Sequence, residues 1–97
     1  MNVQRYLVTY DICDPRRLRA VFHVMKGFGE HLQYSVFQCD LTAMRLVELR
    51  MRLHQEINAR EDQVLIIDLG PSEGRGREVI EALGRGCPEV DGGPIVA

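Results

Sequence analysis

The stretch YLVTYDICDPRRLRAVF, residues 6–22, decides the fold because an extended run passes directly into a helix within it. Residues 3–11 alternate with the period of two that marks a β-strand, and this strand ends at the carboxylate of Asp11. Asp14 followed by Pro15 predicts a helix start, since Asp caps free N–H groups and proline has none to satisfy. The helix carries one apolar stripe, made of Leu18, Val21, Phe22, Met25 and Phe28.

The remaining elements continue this alternation of extended and helical segments. Residues 31–41 are extended, Thr42 caps a second helix, and residues 63–69 form the third clear strand. The second helix has Leu46, Leu49, Leu53 and Ile57 along one stripe, and we expect Val47 and Met51 to lie beside it. Periodicity leaves residues 78–84 open between a strand and a short helix. The order β-α-β-α-β predicts an α+β sandwich of two helices on one sheet.

The strands at 6–10 and 64–69 are apolar on both faces, yet two helices cover only one face of a small sheet. A chain of 97 residues makes one domain and leaves roughly a third or more of its surface exposed. We therefore expect a homodimer whose sheets pack against each other.

Composition excludes several classes of protein. The hydrophobic fraction of 45% argues against disorder, and no apolar run approaches the ~18 residues of a membrane span. The N-terminus lacks a secretory pattern, and Cys13, Cys39 and Cys87 form no C-x-x-C pair, so a reduced cytoplasmic protein without membrane contact is expected.

The net charge of −2 argues against a strongly basic nucleic-acid binder, but the charge is unevenly distributed. Residues 1–60 carry nine basic against six acidic residues, and residues 61–97 carry three against eight. Arginine makes up eleven of the twelve basic residues, which fits a phosphate-binding patch and equally fits a GC-rich genome.

Asp11 is the leading candidate for chemistry. One interpretation is a turn residue that hydrogen-bonds the backbone; the other is a carboxylate ligand for Mg²⁺. One carboxylate is a poor metal site, but a two-fold axis delivers two from a single sequence position.

Three arginines follow in the first turns of the predicted helix: Arg16, Arg17 and Arg19. Positive charge opposes the helix dipole there, so these residues indicate a bound phosphate or, alternatively, a solvated surface. Phe37 and Tyr34 have the aromatic rings needed to stack on bases, although strand aromatics more often belong to the core.

With these residues in hand, the chain resembles the small universal protein family of CRISPR spacer acquisition, the compact partner of the CRISPR integrase. The resemblance rests on four segments that span nearly the whole chain: YLVTYDI with the Asp and Arg residues after it, QYSVFQCDL at 33–41, VLIIDLG at 64–70, and VIEALG at 79–84.

The resemblance implies a homodimeric ferredoxin-like β-α-β-β-α-β sandwich in residues 1–84. Residues 31–41 would bend to give two strands, and VIEALG would add an extra C-terminal strand to the neighbouring protomer's sheet. The tail at 85–97 would contribute dimer or partner contacts.

The resemblance also assigns residue roles. Asp11 would pair across the two-fold axis and bind Mg²⁺ or another divalent cation such as Mn²⁺ as the catalytic residue. Nucleic acid would lie against Arg16, Arg17, Arg19, Tyr10, Ser35 and Phe37. Two positions depart from the family pattern: His31 replaces a common Arg, and Gln38 replaces an acid.

Two functions are compatible with these assignments. One is a Mg²⁺-dependent endonuclease acting on RNA or DNA, and the other is a non-catalytic adaptor that bridges integrase units on duplex DNA. A ferredoxin-like module for a small ligand is a third possibility, but the sequence carries no ligand motif.

Overall fold

The computed structural model describes residues 2–74 and 79–85, and it contains four strands and two helices there. In chain order these are β1 (Gln4–Asp11), α1 (Pro15–Lys26), β2 (Glu30–Gln33), β3 (Val36–Leu41), α2 (Ala43–Glu56) and β4 (Gln63–Pro71).

Both helices begin where the capping residues predict. The Asp14 side chain accepts hydrogen bonds from the backbone N–H groups of Arg16 and Arg17, each at 3.0 Å. Thr42 caps α2 in the same way, accepting from the N–H of Arg45 at 3.3 Å. These bonds satisfy donors that lack a partner within the first helical turn.

The sheet confirms the ferredoxin-like prediction. Its strand order is β2-β3-β1-β4 with every neighbouring pair antiparallel, so β1 and β3 are central. The extended run predicted at 31–41 is two strands joined by a turn at Tyr34 and Ser35, as the resemblance implies.

The core lies between the helices and one face of the sheet. Tyr6, Val8 and Tyr10 of β1 are buried there, which confirms the alternation predicted for this strand. The helices contribute Val21, Val24, Met25, Leu46, Leu49 and Leu53.

The expectation that Val47 and Met51 lie beside the apolar stripe of α2 is wrong. Their exposed fractions are 52% and 60%, and Met44 is still more exposed. Residues 44, 47 and 51 follow helical spacing on the side opposite Leu49, so α2 carries a second, solvent-facing apolar stripe.

The other face of the sheet carries apolar residues that the helices do not cover. In β4, Leu65 and Ile67 are 48% and 43% exposed, and Ile67 lies in register with Leu7. The two-sided apolar character of this strand is confirmed, while the homodimer inferred from it stays a prediction.

Residues 79–85 lie in neither a helix nor a strand of the single chain. The strand expected there is one that would form on a neighbouring protomer, so it also stays a prediction. Residues 86–97, most of the predicted tail, lie outside the described residues. Neither described helix has the length and apolar character needed to cross a membrane.

Candidate metal and nucleic-acid site

Asp11 ends the central strand β1 in an exposed position. Its carboxylate forms no hydrogen bond or ion pair with any residue in 2–74 or 79–85, in contrast to Asp14, which caps α1. Since successive strand residues point to opposite faces, Asp11 faces away from the helix-covered core that holds Tyr10. Asp11 is therefore accessible from the uncovered side of the sheet.

Arg17 is engaged in a structural contact. Its Nε donates to Asp62 Oδ2 at 2.7 Å, and its Nη2 donates to Asp62 Oδ1 at 3.1 Å and to Glu61 Oε1 at 3.1 Å. This bidentate ion pair ties α1 to the loop before β4. The predicted contact of Arg17 with a phosphate would have to use its remaining guanidinium nitrogen.

Asp62 is the anchor of this contact, and the sequence analysis did not single it out. Besides Arg17, its buried carboxylate accepts hydrogen bonds from the backbone N–H groups of Cys13 at 3.0 Å and Asn58 at 2.8 Å. The Arg17 guanidinium, followed by these backbone donors, holds the pKa of Asp62 well below its ordinary value. Asp62 in turn raises the pKa of Arg17.

Arg16 and Arg19 are exposed, and neither guanidinium forms an ion pair with an acid among the described residues. Arg19 borders a groove of about 550 Å³, here called the α1 groove. One wall is the α1 surface formed by Leu18, Arg19, Phe22, His23 and Lys26. The other wall is formed by Tyr10, Tyr34 and Ser35.

Three of the predicted nucleic-acid residues, Tyr10, Arg19 and Ser35, thus share one groove. The backbone links two of them, because the N–H of Tyr10 donates to the carbonyl of Ser35 at 3.1 Å. Burial raises the pKa of the Tyr10 hydroxyl. Arg16 is not among the groove residues, and Asp11 lies on the opposite face of the sheet.

Phe37 is completely buried and offers no surface to a ligand in this conformation. It packs between Tyr10, at 6.3 Å between ring centroids, and Phe22, at 5.5 Å. Its position beneath the α1 groove supports the groove floor, and its predicted contact with nucleic acid would require it to move.

The two departures from the family pattern have distinct surroundings. The His31 ring packs against Phe22 and Phe37, and its Nε2 donates to the carbonyl of Tyr34 at 2.6 Å. Gln38 is buried, and its Oε1 accepts no hydrogen bond from the described residues.

The sequence analysis missed His23 and Lys26 as groove residues. With Arg19 they follow the spacing i, i+4 and i+7, which places the three side chains on one side of α1. That spacing is visible in the sequence, but the sequence analysis assigned the helix from its apolar stripe and did not consider these residues together. The sequence analysis did consider the Tyr34 ring for base stacking, but its exposure depends on the fold and is visible only in the structure.

The donor set suits a divalent cation only in part. Asp11 supplies the oxygen ligand that Mg²⁺ prefers, and Mg²⁺ usually takes few ligands from protein. Within residues 2–74 and 79–85, however, no group of three or more His, Cys, Asp or Glu residues could hold a metal ion. Asp11 therefore belongs to no such group among the described residues, and two Asp11 carboxylates at one cation would require a second chain.

These features define a class: a small ferredoxin-like α+β protein with a groove lined by aromatic and basic residues. The exposed acid at the end of its central strand has no partner within residues 2–74 and 79–85. The family profile described as CRISPR associated protein Cas2 matches residues 4–75. The chain belongs to this Cas2 family.

Curated relatives agree with this assignment. The CRISPR-associated endoribonuclease Cas2 of Geobacter sulfurreducens is 48% identical over 68 residues, covering 70% of this chain and 72% of the relative. The CRISPR-associated endoribonuclease Cas2 1 of Rhodospirillum rubrum is 46% identical over 80 residues, covering 82% and 78%.

Solved structures share the fold. Streptococcus pyogenes Cas2, crystallised at pH 6.5, superposes with a TM-score of 0.71 at 34% identity, covering 82% of this chain and 99% of that one. The hypothetical protein TT1823 from Thermus thermophilus has a TM-score of 0.76 at 29% identity, covering 96% and 99%.

Proposed function

We propose that this chain is a metal-dependent endonuclease of the CRISPR system that cleaves RNA phosphodiester bonds as a homodimer. The observation that carries the proposal is the exposed Asp11 carboxylate, which has no partner among the described residues at the end of the central strand. The endoribonuclease names of the curated relatives support RNA as the substrate.

The dimer supplies what one chain lacks. Asp11 faces the same side of the sheet as the exposed Leu65 and Ile67, which a second protomer would cover. A two-fold axis through that face would bring two Asp11 carboxylates together and give Mg²⁺ or Mn²⁺ two oxygen ligands. A bound divalent cation supplies a more acidic water and stabilises negative charge on a phosphodiester.

The protein's own side chains would bind and orient the substrate. Arg16 and Arg19 are exposed and free of acidic partners among the described residues, so they are available to phosphate oxygens. The ion pair of Arg17 with Asp62 would hold the start of α1 in place beside Asp11.

The test compares Asp11→Asn with Asp68→Asn, which makes the same chemical change at another exposed carboxylate, near the far end of β4. We expect Asp11→Asn to reduce Mg²⁺-dependent cleavage of a labelled RNA by at least about 100-fold while the dimer persists, because the amide is a weak cation ligand. Asp68→Asn should cleave at the wild-type rate. Unchanged cleavage by purified Asp11→Asn would contradict the proposal.

An adaptor that bridges integrase units on duplex DNA is the second candidate. It is favoured by the exposed Arg16 and Arg19 side chains, which pair with no acid in the described part of the chain. It requires the dimer and the arginines but not Asp11. Normal spacer acquisition in Asp11→Asn cells would support the adaptor, and loss of acquisition in those cells would contradict a purely structural role.

A further inference from the structure

Tyr34 stands out among the aromatic residues because its side chain is 92% exposed at the rim of the α1 groove. Its backbone has φ 34°, in the left-handed region that residues other than glycine rarely adopt. The turn therefore presents a tyrosine where a glycine would fit the backbone better.

The conformation of this turn is fixed from within. His31 Nε2 donates to the carbonyl oxygen of Tyr34 at 2.6 Å, and the His31 ring lies 4.9 Å from the Phe37 ring, which is completely buried. His31 is itself exposed, but its ring contacts Phe22 and Phe37, so this hydrogen bond links the turn to residues that pack on the core. The backbone of Tyr34 is thus linked to the groove residues while its ring lies in solvent, where a ligand can pack on it.

The opposite wall of the groove is cationic over an apolar floor. Arg19, His23 and Lys26 line one side of α1, and Lys26 Nζ lies 5.8 Å from the centre of the Phe22 ring. None of these three side chains forms an ion pair with an acid in residues 2–74 or 79–85. The groove therefore combines an unneutralised positive edge with flat apolar surfaces.

We propose that the α1 groove binds one unpaired nucleobase, stacked on Tyr34, with an adjoining phosphate held by Arg19 and Lys26. A planar base matches the free aromatic face, and the phosphate matches the cations, whereas an acidic peptide would leave the flat face of Tyr34 without a specific partner. The groove, at about 550 Å³, has room for a base with its sugar. This inference rests on the proposed function and adds a recognition residue to it.

Unpaired bases are favoured over paired ones for a simple reason. In a duplex both faces of each base are covered by its neighbours, so Tyr34 has no face on which to stack. We therefore expect the groove to bind single strands more tightly than duplexes.

The test measures binding in a chelator, so that no cleavage is needed and a failure of the nuclease proposal does not obscure the result. Fluorescence anisotropy would compare a labelled 12-nucleotide oligouridylate with a duplex of equal length. We expect Tyr34→Gly to raise the Kd for the single strand about 5- to 100-fold, since that is the effect of removing one stacking aromatic. Glycine suits the turn backbone, so this variant should fold.

Two variants serve as controls. Tyr34→Phe retains the ring and should bind within about twofold of wild type, as should Met44→Ala, which removes an exposed side chain on α2 away from the groove. Duplex binding should stay within about twofold for all variants.

Wild-type affinity of Tyr34→Gly for the single strand would overturn the proposal. An equal loss on the duplex would also overturn it, because that result would indicate a phosphate contact or a partner surface without base stacking.

Discussion

Arg17 and Arg19 are two residues apart in the sequence, but their side chains make different contacts. Arg17 is bound to Asp62, whereas Arg19 borders the α1 groove. The sequence shows three neighbouring arginines, and the sequence analysis assigned them one shared role. The fold places the side chains of Arg17 and Arg19 in different surroundings. The partner of Arg17 lies 45 residues away in the chain, and no local pattern reports such a pairing.

At the residue scale, we expect Asp62→Asn to lower the Tm by about 5–10 °C at pH 7, because the Arg17 guanidinium loses its buried counter-charge. The folded pKa of Asp62 lies below its ordinary value of 3.8, so its ionised form stabilises the fold above that pH. As the pH falls below about 3.8 towards the lower folded pKa, this contribution is lost and the difference between variant and wild type should shrink.

Thermal unfolding followed by circular dichroism at pH 7 and pH 3 checks this expectation. Glu61→Gln is the matched control, since Glu61 is the exposed partner of the same arginine and exposed ion pairs contribute little. A difference that widens in acid would contradict the assignment of Asp62.

At the element scale, the junction between α1 and β2 requires the backbone at Gly29 to lie against β3. The glycines at 27 and 29 predict a helix end, and α1 indeed ends before Gly27. The requirement at Gly29 is different: a Cβ there would overlap the Gln38 carbonyl and the Cys39 Sγ of β3. The Cys39 thiol is itself buried, and burial raises its pKa to about 12, so it acts as a packing group.

We expect Gly29→Ala to destabilise the protein by at least about 2 kcal/mol, because backbone and a buried side chain on β3 must shift. Gly74→Ala is the control, since a Cβ there meets nothing closer than Pro71 at 3.7 Å. Chemical denaturation measures the free energy of unfolding of both variants. Equal values would contradict the prediction, because they would show that β2 and β3 can shift to accommodate the added methyl group at little cost.

At the scale of the whole molecule, the sequence predicted the architecture better than the site. Alternation and capping residues predicted β1, α1, α2 and β4 to within a few residues. The placement of Val47 and Met51 failed because α2 is apolar on two sides, and helical periodicity does not say which side faces the core. The α1 groove needs Tyr10, Arg19 and Tyr34 together, and only the folded sheet brings them into one place.

The two-sided β4 strand leads to a prediction for the assembly. We expect Ile67→Lys to convert a dimer into a monomer, because an ammonium group at the centre of a sheet-to-sheet contact would lose its hydration. Light scattering after size-exclusion chromatography measures the mass directly. Val47→Lys is the control on the outer side of α2, and a monomer in that variant but not in Ile67→Lys would place the contact on the helices instead.

The sheet order also determines when the protein can fold during its synthesis. β1 leaves the ribosome before the other described strands, but it is central, and its pairing with β4 joins Gln4 to Pro71. Until β4 emerges, one side of β1 exposes unpaired backbone groups. The sheet can therefore be completed only after nearly the whole described chain has left the ribosome. Because its central strand depends on contacts between residues far apart in the sequence, we expect folding to be slow.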